Sequence, residues 1–292
     1  MIKNSKIYIY LRQQKSWMIN TFAPVYGTKK IYYYTMNKEL NLDNPKDINE
    51  KIQYLKLNDY RNNRLVTNCA DKYAVREYLT GKGYERLLPE LYGTYRRVNE
   101  IEWDKLPDQF VLKCTHGSGY NIICPNKEYL DIQQAKKNLS KWLRERYVRH
   151  FAEIQYKNIT PRIIVEEYLG EGIKTFKFYC FNGVPRILYV SFMGENGEKD
   201  KYIDYYDMDW NRLAIRLGGH DNNSYGIPKP NEFDEMIDIA RDLSKDFKFV
   251  RVDLYNINGR IYFSELTFTP TGGMMKLKPD EVLLEWGNWL TL

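Results

Sequence analysis

An α+β fold is the class this sequence predicts, and three observations predict it. Two Asn-Gly pairs, Asn182-Gly183 and Asn258-Gly259, each sit between runs rich in Val, Ile, Leu, Tyr and Phe. That pattern marks antiparallel hairpins rather than parallel crossovers. Segments with helical spacing of apolar residues lie outside those hairpins instead of alternating strand by strand with them. With 292 residues and a 43% hydrophobic fraction, the chain has the length and composition to build a globular core.

The elements follow in order. Residues 47–57, DINEKIQYLKL, place Ile48, Ile52 and Leu55 at helical spacing. Residues 71–80 predict a helix stopped by Gly81 and Gly83, with Lys72 at its start. QFVLK at 109–113 and NIIC at 121–124 predict strands, separated by CTHGSGY. Residues 131–149 predict a long basic helix. A strand cluster follows: 162–167, 175–181 and 185–192. Pro230-Asn231 starts a helix with Phe233, Ile237, Ala240 and Leu243 on one face. The last hairpin, RVDLYNINGRIYFSELT at 251–267, precedes a C-terminal helix after Pro279.

That hairpin carries Asp253 and Glu265, and the turn decides whether they face the same way. Side chains alternate along a strand. A two-residue Asn-Gly loop pairs Asp253 with Ser264 and sends Glu265 to the opposite face. A three-residue loop pairs Asp253 with Phe263 and brings Glu265 onto its face. The longer loop is the expected register. It gathers Arg251, Asp253, Glu265 and Thr267 on one face, where the carboxylates can hold a cation. Val250, Val252, Leu254, Tyr262 and Leu266 form the core face.

Composition bounds the function. No apolar run approaches the roughly 18 residues of a membrane span. The N-terminus lacks the apolar segment and small-residue site of a secretory signal. Cys69, Cys114, Cys124 and Cys180 show no Cys-x-x-Cys spacing and read as free thiols of a reducing cytoplasm. Residues 1–40 hold seven Lys or Arg and one acid, which accounts for the whole formal net charge of +6. This start also holds Tyr8, Tyr10, Trp17, Phe22, Tyr32, Tyr33 and Tyr34. Its chemistry suits an anionic membrane surface or a nucleic acid, or a solvated edge whose aromatics pack inward, which is the favoured reading. Nucleic acid is not an expected partner.

Several motifs are candidates for chemistry. Lys113 ends an apolar strand beside Gly117, Ser118 and Gly119. A glycine loop between strands suits a flap over a polyphosphate, since glycines let backbone N–H groups approach closely. Lys113 would hold a phosphate as a point charge. Lys72 has a solvated surface lysine as its plain alternative. RIIVEEYLGEG runs from a strand into a linker whose backbone could match an adenine edge. His116 near Cys114 invites a thiol nucleophile, but nothing in the sequence lowers the thiol pKa. His150 and His220 need no role. Asp207-Met208-Asp209 could hold a divalent ion for a glycosyltransferase, or cap a turn with Asn211.

Taken in order and spacing, six segments resemble the ATP-grasp superfamily. They are NPKDINEKIQYLKL, ADKYAVREYL, LPDQFVLKCTHGSGYNII, PRIIVEEYL, FKFYCFNG and VRVDLYNINGRIYFSELTFTP. More narrowly, they resemble the TupA-like ATP-grasp proteins of surface-polysaccharide biosynthesis (teichuronopeptide or capsule type), from about residue 40 onward. The resemblance implies two α+β subdomains clamping ATP: an extension over 1–65, a flap subdomain over 66–165 and a metal-hairpin subdomain over 166–292. It implies that Lys72 and Lys113 contact ATP phosphates and that His116, Gly117, Ser118 and Gly119 form the flap. Glu166, Glu167 and Leu169 would hold adenine, Lys177 and Arg251 would face the reacting phosphoryl group, and Asp253 and Glu265 would ligate Mg²⁺. Two positions depart from the pattern. Thr267 stands where ATP-grasp enzymes often have Asn, and its hydroxyl can still ligate or orient a water. Thr175 replaces an acid that would bind ribose, so Glu171 is the substitute.

The implied reaction joins a carboxylate to an amine through an acyl-phosphate, on a glycan-linked uronic acid or amino-acid substituent. The expected location is the cytoplasm, at the inner face of the membrane. Acceptor specificity is expected in the N-terminal segment and the loops near 194–230. The competing readings are a glycosyltransferase using Asp207 and Asp209, and a non-catalytic module of a polysaccharide assembly complex.

Overall fold

The computed structural model describes residues 6–149, 151–192 and 202–292; His150 and the first part of the 194–230 loops lie outside them. The chain begins with helices α1 (Lys6–Phe22), α2 (Pro24–Met36), α3 (Ile48–Leu57), α4 (Arg64–Ala70) and α5 (Val75–Gly81). Strands β1 (Leu91–Tyr95), β2 (Phe110–Cys114) and β3 (Asn121–Cys124) precede α6 (Ile132–Trp142) and β4 (Ile163–Glu166). Then come β5 (Lys174–Phe181), β6 (Val184–Phe192), β7 (Ile203–Asp207), β8 (Arg212–Leu213) and β9 (Arg216–Leu217). The chain ends with α7 (Phe233–Ser244), β10 (Phe249–Ile257), β11 (Arg260–Thr267), β12 (Leu277–Lys278) and α8 (Glu281–Trp289).

The α+β expectation holds. A four-stranded sheet, β1-β4-β2-β3, faces a six-stranded sheet, β11-β10-β5-β6-β7-β8, and every strand pairing in both is antiparallel. Each sheet has its own core. Phe110, Leu112, Ile163 and Val165 of the small sheet pack on Ala135 and Leu139 of α6. The large sheet packs Phe178, Leu188 and Val252 against α7 and α8, and also against Ile52 of α3, Val66 of α4 and Leu79 of α5.

Helix α3 shows why the sequence folds this way locally. Asp47 accepts from Glu50 N at 2.9 Å and the Glu50 side chain accepts back from Asp47 N, a reciprocal cap. Losing such a cap costs about 1 kcal/mol. The helix's polar residues then hold the C-terminal loops. Asn49 bonds both backbone groups of Met275, and Gln53 Nε2 donates to the carbonyls of Gly272 and Gly273.

Three expectations are corrected. The helix read over 131–149 ends at Trp142, where the ladder tightens into i−3 bonds from Arg144 N to Lys141 O and from Glu145 N to Trp142 O, and the imidazole of His116 also engages Trp142 O at 3.0 Å. Lys72 precedes its helix rather than opening it: Asp71 Oδ1 accepts from Tyr73 N at 2.8 Å, and helical turns begin only at Val75. The inward packing favoured for the N-terminal aromatics holds for Tyr32 but not for Phe22, Tyr33 and Tyr34, which are exposed.

Candidate active site

The register of β10 and β11 settles the orientation of the two carboxylates. Asn258 and Gly259 both have positive φ, 51° and 81°, so the turn has two residues and Ile257 pairs with Arg260. The expected three-residue loop is therefore wrong. A regular ladder from this turn would pair Asp253 with Ser264. Instead the register shifts between Asp253 and Leu254, and Asp253 pairs with Glu265. Ser264 is the extra residue of a β-bulge, which leaves two residues opposite one. The shared face of Asp253 and Glu265 is as expected, by a different route. One consequence reaches the core face: Phe263, opposite Leu254, takes the place expected for Tyr262, which pairs with Tyr255 instead.

Around this pair the two sheets deliver cations. Arg251, two residues before Asp253, donates Nε to Asp253 Oδ1 at 2.6 Å and Nη2 to Oδ2 at 2.7 Å. The same Nη2 reaches Glu265 Oε1 at 3.3 Å and Thr267 Oγ1 at 3.1 Å. Lys177, opposite Asp253 on β5, places Nζ 3.8 Å from Asp253 Oδ2. From the small sheet, Lys113 Nζ donates to Glu166 Oε2 at 2.8 Å, and Arg76 donates to the other oxygen at 3.0 Å. Lys72 Nζ donates to Gly117 O at 2.5 Å, tying the loop before α5 to the flap. Lys72, Arg76, Lys113, Lys177 and Arg251 outnumber Asp71, Glu166, Asp253 and Glu265, so the cluster is net positive and suits a polyanion.

The pKa directions express that field. Burial pushes the Glu265 carboxyl up, but Lys72, Arg251, Lys177 and the Thr267 hydroxyl outweigh it and hold it down at about 2. Burial pushes Asp253 up, and Arg251 and Lys177 only partly pull it back. Burial lowers Lys72, with only partial compensation from Glu265. On Lys113 burial is overcome by Glu166, and its pKa rises.

The flap is the β2–β3 turn. Gly117 packs so closely that a Cβ there would lie 2.5 Å from Tyr147 Cδ2 and 2.8 Å from Tyr120 Cε2. Ser118 and Gly119 are exposed at the tip, and Gly119 has φ of +76°. His116, 3% exposed, points inward to Trp142 O, so within the flap it is a packing residue.

Other expected site residues stand apart. Glu167 accepts from Glu90 N at 3.3 Å and Leu169 is half-buried on the linker. Glu171 is exposed beyond Gly170 and interacts with Tyr168. Thr175 is buried opposite Tyr255. Asp207 is a turn cap: Oδ1 accepts from Asp209 N and Asn211 N at 3.0 and 2.8 Å, and Oδ2 from Asn211 Nδ2 at 2.9 Å. The four cysteines are buried, and burial raises Cys114 to about 12, which removes the thiol nucleophile.

Two residues that sequence reasoning missed complete the cluster. Arg76 lies four residues beyond Lys72, in the first turn of α5 and in a segment already singled out. Tyr189 lies under both Lys177 and Arg251, with its ring centroid 5.4 and 5.7 Å from the two cationic groups. Nothing in its strand marks it.

The donor set fits Mg²⁺ in one particular way. Among the described residues no group of three His, Cys, Asp or Glu converges, so the carboxylates on offer here are the Asp253–Glu265 pair, with the Thr267 hydroxyl beside Glu265. Mg²⁺ usually binds through one or two carboxylates plus substrate phosphates, and a pair suffices. Glu265 keeps 34% of its side chain open to the cleft, whereas Asp253 is 1% exposed and both its oxygens are held by Arg251. Each Asp253 oxygen keeps a second lone pair beside its bond to Arg251, so Asp253 is the more enclosed donor of the two and Glu265 the more open one.

A model of the TupA-like ATP-grasp family matches residues 50–290. No curated protein matches the chain. Among solved structures, it is similar to an L-amino acid ligase from Bacillus licheniformis at 13% identity and a TM-score of 0.47, over 77% of this chain and 49% of that one. It is also similar to a phosphoribosylamine–glycine ligase from Thermotoga maritima (11%, TM-score 0.44, 78% and 51%). A D-alanine–D-alanine ligase from Bacillus anthracis complexed with ATP matches at 15%, with a TM-score of 0.38, over 82% and 62%. The chain spans about half the length of the first two of these proteins.

Proposed function

The chain belongs to the TupA-like ATP-grasp family, and from that premise we propose that it is an ATP-dependent ligase joining a carboxylate to an amine through an acyl-phosphate. The observation that carries this reading is the convergence of Lys72, Lys113, Lys177 and Arg251 on the Asp253–Glu265 pair, with a glycine turn tied to Lys72. In the proposed reaction a carboxylate oxygen bonds to the γ-phosphorus of ATP and the bond to ADP breaks. The amine nitrogen then bonds to the acyl carbon, phosphate leaves, and the amine gives up a proton.

Phosphoryl transfer asks mainly for positioning and neutralised charge. In this reading Lys72 and Lys113 hold phosphate oxygens, and the turn at 117–119 closes over them. The linker of Glu166, Glu167 and Leu169 takes the adenine edge, with Glu171 next to the ribose. Arg251 and Lys177 face the transferred group. Glu265, Thr267 and Asp253, through the lone pairs that Arg251 leaves, would hold Mg²⁺, which would neutralise the phosphate oxygens. The acceptor proposed is a uronic acid or amino-acid substituent of a surface polysaccharide, and the protein acts in the cytoplasm.

The test is thermal stability with Mg·ATP and with a panel of Mg·nucleotide sugars, followed by ADP release over a panel of carboxylates and amines. A ligand at about 100 times its Kd adds about 2.7 kcal/mol to the folded state. Stabilisation by Mg·ATP alone, lost in Glu265→Gln, is the expected result. Stabilisation by a nucleotide sugar and not by ATP would overturn it in favour of a glycosyltransferase.

A further inference from the structure

The first 38 residues hold seven Lys or Arg and no Asp or Glu. Within them α1 and α2 form a helical hairpin whose described side chains meet the rest of the protein from one side. Asn20 Nδ2 donates to Val148 O at 3.1 Å, Trp17 packs beside Leu57, Val148 and Ile154, and Tyr32 is fully buried beside Leu40 and Met274. The guanidinium of Arg146 lies 4.0 Å from the Trp17 ring centroid. These anchors turn the opposite side outward.

That outward side is aromatic and basic. Phe22, at the corner between the helices, is 76% exposed, and Tyr34 is 76% exposed. Val25, Tyr26 and Tyr33 are exposed with them, and Lys29 and Lys30 lie between on the same helix. Exposed positions 26, 29, 30 and 33 recur at helical spacing, so they form one face. Large apolar groups left outside a helix that already has a buried side mark a surface meant to be covered.

We propose that this face of the α1–α2 hairpin docks on an anionic lipid bilayer. Its chemistry matches the two parts of such a surface. Aromatic and apolar side chains at the corner suit the headgroup and acyl boundary, and lysines suit the anionic headgroups. A nucleic acid could be met by the lysines and stack on the rings, but it would leave the aliphatic Val25 without a partner, whereas a bilayer takes all three kinds of side chain. The turn of Tyr147–Arg149 that supports α1 carries Tyr147, which packs on Gly117 of the flap. The inference stands whether or not the chain is a ligase.

The test is flotation of the full chain with vesicles of phosphatidylcholine alone or with about 30% phosphatidylglycerol. Binding is expected only with the anionic lipid and should weaken with salt. Each of Lys29→Gln and Lys30→Gln should weaken it about five-fold. F22S/Y34S should abolish it while leaving the melting temperature unchanged, because both side chains are exposed. Phe22→Trp should shift its emission to the blue on the same vesicles. Three results would overturn the proposal: no vesicle binding by the wild type, vesicle binding that the variants leave intact, or binding of RNA in place of vesicles. A dimer that F22S/Y34S dissociates, with no lipid binding, would assign the face to a second copy instead.

Discussion

Arg251 forks onto Asp253 from two residues away on the same face of one strand, with both nitrogen–oxygen distances under 3 Å, at 2.6 and 2.7 Å. The pair is buried, and the same Nη2 also reaches Glu265 and Thr267. Asp253→Asn removes the charge while keeping the shape. Arg251 retains Glu265 and Thr267, so the fold should survive with a loss of about 2 kcal/mol, the scale of a hydrogen bond to a charged group. ADP release should fall about 100-fold or more, because the carboxylate pair is reduced to one. Urea unfolding and an ADP assay read the two effects separately. Retained turnover would remove Asp253 from the site.

Glu265 sets an acid limit. Its folded carboxyl sits at about 2 against an ordinary value of 4.5. A group depressed on folding contributes stability that is fully present above the unfolded value and is lost as pH falls through the folded one. The contribution should therefore disappear between about pH 4.5 and pH 2. Its size is reduced by solvent screening, since a third of the side chain is open. The stability difference between wild type and Glu265→Gln, followed by urea unfolding across that window, should shrink as the pH drops. A difference that stays constant would mean the cations do not act on this carboxylate.

Most of the fold was legible in the sequence because its signals are local. The Asn182-Gly183 and Asn258-Gly259 turns, the helical spacing in α3 and α7 and the strand at Phe110–Cys114 all fall where composition puts them. Most of the charged site residues were legible too, since Lys113, Arg251 and Asp253 sit on strands whose alternation fixes their faces. What the sequence concealed is long-range. A bulge at Ser264 leaves no compositional mark, and it reversed the expected turn length while preserving the face of Glu265. At the early stop of α6, Trp142 O is met by His116, 26 residues away. Tyr189 enters the site only because β5 and β6 pair Lys177 with it.

Gly117 is the tightest point of the flap. A methyl group there meets Tyr147 at 2.5 Å and Tyr120 at 2.8 Å, so Gly117→Ala must move either the flap or the rings. Affinity for Mg·ATP should fall about ten-fold if the flap moves, a change of about 1.4 kcal/mol. Adding Tyr147→Ala should restore part of the loss, giving a coupling of about 1 kcal/mol in a double-mutant cycle. Calorimetric titration of the four proteins measures it. Additive losses would show that the two residues do not share this contact.

Lys56 and Glu153 are buried ionisable groups that act on each other electrostatically and that the proposed chemistry does not use. Lys56 is 1% exposed and donates to Phe151 O at 2.8 Å, and Glu153 accepts from Thr269, two residues past Thr267. Burial drives Lys56 down to about 7 and Glu153 up to about 7, each drawn partly back by the other. Lys56→Met leaves Glu153 buried without its cation, at a cost of about 3 kcal/mol near pH 8. A carboxyl raised on folding contributes stability that is present below its unfolded value of 4.5 and lost as pH rises through the folded one. Stability of Lys56→Met should therefore fall between pH 5 and pH 8. The double variant K56M/E153Q should lose that slope and regain most of the stability, because neither side chain then needs a counter-charge. Urea unfolding at the two pH values decides it. A slope that persists in the double variant would place its origin elsewhere than Glu153.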